Sequence, residues 1–113
     1  MHKLDLGFSI ADGGYPSLAA APGTLSLAFR TSTGADASLT FSDVAAYAWQ
    51  EGEVQLADGE PWDGACELDQ SALLAAHAGG RTMHGGSRPR HLRFRLHPWG
   101  TLDVVCSDYV ATT

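Results

Sequence analysis

Between Thr31 and Gly80 the chain contains no lysine and no arginine. The same stretch holds nine carboxylates: Asp36, Asp43, Glu51, Glu53, Asp58, Glu60, Asp63, Glu67 and Asp69. With a net charge of −6, this distribution speaks against DNA or RNA as the main partner. Long apolar runs are missing too. The stretch Leu18 to Ala21 is far shorter than the ~20 residues of a membrane-spanning helix. The first residues, Met1-His2-Lys3-Leu4-Asp5, place an acid at the fifth position with no long apolar run behind it. No signal peptide and no membrane are therefore expected, and a reducing, cytoplasmic location is. Cysteine is scarce, with only Cys66 and Cys106, in no CxxC pattern. A chain of 113 residues can bury a core without metal or disulfide. The two are expected as small buried thiols, with a single disulfide as the alternative.

Recognised catalytic patterns are also lacking. Gly13-Gly14, Gly79-Gly80 and Gly85-Gly86 carry neither the lysine of a phosphate loop nor dinucleotide-fingerprint spacing, and read as turns and helix stops. The histidines are His2, His77, His84, His91 and His97, without HxxxH or HExxH spacing. His91 and His97 share a strand face about 20 Å apart by strand rise, too far to share an ion. A centre from Cys66, His77 and His84 is the remaining metal option, and none is expected. Ser71 lacks the GxSxG context and Cys106 falls on a core face, so no nucleophile is predicted. The paired acids Glu51/Glu53 and Asp58/Glu60 lie in a glycine-containing loop ill suited to fixed carboxylate spacing. The expectation is a protein that is not an enzyme and takes no cofactor.

What the chain does contain is alternation. Leu4, Leu6, Phe8 and Ile10 have the period of a half-buried strand. Leu18–Ala21 has room for one helical turn before Pro22-Gly23. Leu25, Leu27 and Phe29 alternate again, Thr33-Gly34-Ala35-Asp36 turns the chain, and Leu39 and Phe41 continue, so a hairpin is predicted. Val44–Trp49 is read as strand on its valine and aromatics, and 50–63 as an exposed loop. Asp69-Gln70-Ser71 precedes Ala72–Ala78, a run of helix formers stopped by Gly79-Gly80, with Asp69 or Ser71 as the cap. Residues 81–89 read as a loop.

The last hairpin has the clearest pattern. His91–His97 alternates, as do Leu102, Val104 and Cys106, around Pro98-Trp99-Gly100. A three-residue loop with left-handed Gly100 would set His97 opposite Thr101, Phe94 opposite Val104 and Arg95 opposite Asp103. Leu92, Phe94 and Leu96 would then face the core, leaving Arg93, Arg95, His97 and Trp99 as an outer surface. The chain is expected to form one α+β domain over residues 1–113. Its architecture would be a single curved antiparallel sheet of five to six strands, with the Asp69–Ala78 helix packed on it.

Three segments, Phe41-Ser42-Asp43-Val44 with Tyr47 and Trp49, Cys66–Ser71 before the helix, and His91–Leu96 with Gly100–Val104, together resemble small bacterial immunity-type proteins. These accompany polymorphic or contact-dependent toxins. The resemblance spans roughly residues 24–106 and implies a stoichiometric inhibitor of a toxin domain, often a basic nuclease, without catalysis. On the residues themselves, the acidic loop with Glu51, Glu53, Asp58, Glu60, Trp62 and Asp63 is one candidate partner surface. A solvated loop with Trp62 folded onto the core is the alternative. Arg93, Arg95, His97 and Trp99 form the second candidate surface. The expected partner is a protein, a basic toxin domain under the resemblance. A structural or regulatory subunit acting as a homodimer is the runner-up, ahead of an enzyme.

Overall fold

The computed structural model describes residues 2–52, 64–68, 71–78 and 89–113, the side chains of His77 and Ala78 excepted. Among these residues run β1 (His2–Leu4), β2 (Ser17–Ala21), β3 (Thr24–Arg30), β4 (Asp36–Ser42), β5 (Ala46–Glu51) and β6 (Gly64–Leu68). Then come α1 (Ala72–Ala78), β7 (Arg90–Leu96), β8 (Gly100–Cys106) and β9 (Asp108–Thr112). The fold is mostly antiparallel β-structure with one short helix, as the alternation predicts. It is not one curved sheet, however. The strands form two sheets, in the orders β1-β6-β7-β8-β5 and β2-β3-β4-β9.

The physical reason is the number of apolar faces. Leu25, Leu27, Phe29, Leu39 and Phe41 line one sheet, and Leu92, Phe94, Leu96, Leu102 and Val104 line the other, all buried. Each set covers the other, which leaves neither sheet needing the helix for its main core. The Phe41 and Phe94 rings meet across this interior at 5.3 Å and 66°, and Tyr109 approaches Phe94 at 6.0 Å. Besides the passage from β1 to β2, the chain changes sheet after β4, at Asp43 (φ 51°), and after β8, at Ser107. The Ser107 amide donates to the Ser42 carbonyl at 3.0 Å and its hydroxyl to Asp43 Oδ2 at 3.0 Å. These last two crossings therefore brace each other.

Three local expectations are corrected. Of the alternating segment Leu4–Ile10, only Leu4 joins a ladder, as the end of β1. Gly7, at φ 82°, takes the backbone out of line while Leu6, Phe8 and Ile10 still reach the core. Leu18–Ala21 is strand rather than helix. Pro22-Gly23 makes a two-residue hairpin in which Ala21 pairs with Thr24, and ladder pairing overrides the weak helical preference of alanine.

The β7–β8 register is displaced by two residues from the expected one. Leu96 faces Gly100, Phe94 faces Leu102, and Arg93, not Arg95, faces Asp103. The turn is His97-Pro98-Trp99, with a cis His97–Pro98 peptide, and the Trp99 amide donates to the Leu96 carbonyl at 2.7 Å. Gly100 is a strand residue. A Cβ there would lie 2.5 Å from the Gln50 carbonyl and 2.6 Å from the Trp49 ring. The glycine is required by close approach to β5, not by a left-handed turn. A slip of two keeps every side chain on its face, so the core residues are unaffected.

Candidate functional site

Two parts of the chain far apart in sequence meet at one end of the sandwich. β5 is an edge strand, and just beyond it the Gly52 amide donates to the Trp99 carbonyl at 2.9 Å. The segment after Ile10 crosses the same end. Asp12 N–H donates to the His97 carbonyl at 2.7 Å, and the Trp99 indole N–H donates to the Gly13 carbonyl at 2.8 Å. Gly13 lies so close to the Arg30 carbonyl, 2.3 Å from where a Cβ would sit, that no side chain fits. This lacing delivers Tyr15, 56% exposed, to the tryptophans. Its ring meets Trp99 at 5.4 Å and 77°, and Trp49 at 6.4 Å and 74°, both edge-on contacts.

The Tyr15 hydroxyl donates to Glu51 Oε1. That bond raises the phenol pKa, and in return it is the main cause holding the Glu51 carboxyl below the usual range. The neighbouring Trp49 adds to the lowering on Glu51. The result is an exposed, ionised carboxylate held by the Tyr15 hydroxyl.

Glu51 and Trp99, taken from two separate candidate surfaces, thus share one end of the molecule. His97 belongs to the same turn and is half-buried. Glu53, Asp58, Glu60, Trp62 and Asp63 lie outside the described residues. Arg93 and Arg95 stand on the outer face of the five-stranded sheet, but not on an open basic stripe. Arg95 is 4% exposed, and burial lowers its pKa. His91 and Val105 on this face are also buried, and α1 packs on β7 and β8. Alternation showed which residues share the face, but gave no sign that a helix covers it.

Beneath the start of α1 lies a polar chain that sequence reasoning missed. Ser71 Oγ is 2.6 Å from His91 Nδ1, and His91 Nε2 is 2.6 Å from Asp103 Oδ1. Arg93 Nε donates to the same Asp103 oxygen at 2.7 Å. Burial alone would raise the Asp103 pKa, but the bonds and charges of His91 and Arg93 outweigh it and hold the group below the usual range. An ionised carboxylate only accepts, so the proton of a neutral His91 sits on Nε2. In that neutral form Nδ1 accepts and the Ser71 hydroxyl donates; in the charged form the direction reverses. Serine, imidazole and carboxylate in this order resemble a base-activated nucleophile. Yet Ser71 Oγ already caps α1 by accepting the Leu74 amide at 3.0 Å, and His91 is only 2% exposed. The chain anchors the helix start to β7 and β8. The Asp69-Gln70-Ser71 cap signal was the visible part of it; the His91–Asp103 link depends on register.

The charge segregation is in part self-complementary. Arg90 reaches Glu67 at 2.7 Å and Asp108 at 3.0 Å, and Arg30 lies 3.5 Å from Asp36. Cys66 and Cys106 are free and buried. Burial pushes the Cys66 thiol up and the Cys106 thiol to about 12, so neither is a ready thiolate at neutral pH. Among the described residues no three of His, Cys, Asp and Glu gather where they could hold a metal ion. No helix among them is long and apolar enough to cross a membrane. Compared with protein families, with curated proteins and with solved structures, the chain finds no match.

Proposed function

We propose that the protein is a partner-binding module that works through the Tyr15–Trp49–Trp99–Glu51 end. In the finer form of this reading it is an immunity-type stoichiometric inhibitor of a basic toxin domain, acting in the cytoplasm without catalysis. The observation that carries the reading is an exposed aromatic group set beside a carboxylate held in place by its neighbours. Aromatic anchors dominate binding energy, and a fixed charge of one sign selects a partner of the other. The acids Glu53, Asp58, Glu60 and Asp63 follow Glu51 closely in the chain, and the molecule as a whole is negative. Both favour a basic partner and fast association.

Binding kinetics against the product of the adjacent gene, at two ionic strengths, test this. Glu51→Lys is expected to slow association, more at low salt. Tyr15→Ala is expected to speed dissociation, with the circular dichroism of both variants unchanged. Unchanged rate constants in both variants would remove this end from the interface.

A second reading, self-association, is favoured by one observation. The edge strand β2 is Ser17-Leu18-Ala19-Ala20-Ala21, without charge or proline, and its three alanines are exposed. Within the strand no charge or proline blocks pairing with another strand.

A further inference from the structure

We infer that Tyr15, Trp49, Trp99 and Glu51 form a receptor for a single guanidinium group, an arginine side chain presented by the partner. The inference rests on the reading of this end as a partner surface and names the chemistry that the surface takes.

The first support is what holds Glu51. Its side-chain donor among the described residues is the Tyr15 hydroxyl, a neutral group, so the carboxylate is oriented without being neutralised. Three of the described cations serve other acids: Arg30 lies by Asp36, Arg90 bonds Glu67 and Asp108, and Arg93 bonds Asp103. A carboxylate offers about four lone-pair directions, so one donor leaves room for a two-pronged cation. Because the acceptor is already fixed, an incoming group forgoes the cost of ordering it.

The second support is that Tyr15 is not needed for the lacing. The Trp99 indole on the Gly13 carbonyl, the Asp12 amide on the His97 carbonyl and the Gly14 amide on the Arg30 carbonyl already tie the crossing segment down. The bond from Tyr15 to Glu51 adds an exposed phenol beside an exposed carboxylate. For folding alone, either could be replaced by a solvated polar residue.

The third support is the match between surface and ligand. Guanidinium is flat, weakly hydrated and able to stack on an aromatic face while its N–H fork bonds a carboxylate. Tyr15 leaves more than half its surface open next to Glu51, room for such a contact. A lysine ammonium keeps its hydration shell and lacks the planar contact. An anionic ligand would meet a molecule of net charge −6.

The test follows the indole N–H signals of Trp49 and Trp99 by NMR in the full chain during titration with three small probes. These are Nα-acetyl-arginine amide, Nα-acetyl-lysine amide and Nα-acetyl-citrulline amide, the last an uncharged near-isostere of arginine. Saturable shifts of both indoles are expected with the arginine probe. The lysine and citrulline probes should bind more weakly by about tenfold or more, the scale of one hydrogen bond to a charged group. Glu51→Gln should abolish the shifts. Tyr15→Phe, which keeps the ring but releases the carboxylate, should weaken them with signal dispersion unchanged. No saturable shift with arginine, or equal binding of citrulline or lysine, would overturn the inference. If Glu51→Lys weakens partner binding while the arginine probe is silent, the guanidinium assignment alone fails. If the probe binds but the partner's kinetics ignore Glu51 and Tyr15, the partner-surface reading fails and the receptor stands.

Discussion

Asp103 is where the electrostatics of single residues becomes measurable. Its side chain is 18% exposed and accepts from both His91 and Arg93. Its folded pKa lies below its unfolded value, so its contribution is complete above the unfolded value, about 3.9. That contribution is lost as pH falls through the lower folded value. Urea unfolding from pH 7 downward is expected to show stability falling below about pH 4, and Asp103→Asn should flatten that fall. At pH 7 the same change should cost about 2 kcal/mol, because the asparagine oxygen still accepts from His91 and Arg93 but no longer carries the charge that strengthens both bonds. Parallel pH profiles for the two proteins would contradict this account. At this scale the sequence narrowed the helix cap to Asp69 or Ser71, because capping is a local rule, and the structure shows Ser71 in that role. It did not disclose the His91–Asp103 bond, because a two-residue change of register decides which acid meets which cation.

At the scale of elements, legibility followed coverage. The β3–β4 hairpin was readable because each strand has one buried and one open face, so its pattern has period two. β6 was not, since Ala65 and Cys66, on opposite faces, are both buried and the alternation disappears. β5 and β8 meet where Trp49 crosses Gly100. Gly100→Ala would force a methyl group into the Trp49 ring and the Gln50 carbonyl, with backbone on one side and a packed indole on the other. A loss of about 1–3 kcal/mol is expected, with altered tryptophan emission. An alanine variant as stable as the parent, with unchanged emission, would show that this approach is looser than the geometry describes.

For the molecule as a whole, two sheets imply sheet edges, and edges raise the question of assembly. β2 is the uncharged one, and Ala19 on it pairs with Ser26 on the outer side of its sheet. If two copies join through β2, sedimentation should give a dimer for the parent chain and a monomer for Ala19→Lys. The melting temperatures of the isolated chains should barely differ, since an exposed substitution moves stability by about 0.5 kcal/mol or less. A parent chain that stays monomeric at its highest soluble concentration would dismiss pairing through this edge.

Composition and alternation determined that the chain would be mostly antiparallel strands around a leucine- and phenylalanine-rich core, with one capped helix and two buried thiols. These follow from local rules, because which face a residue takes depends on parity along its own strand. Tertiary structure alone decided that there are two sheets, that the start of α1 packs over His91, and that Tyr15 reaches Glu51 across the end of the sandwich. Each depends on contacts between residues distant in the chain. Parity says which way a side chain points, but not what stands opposite it.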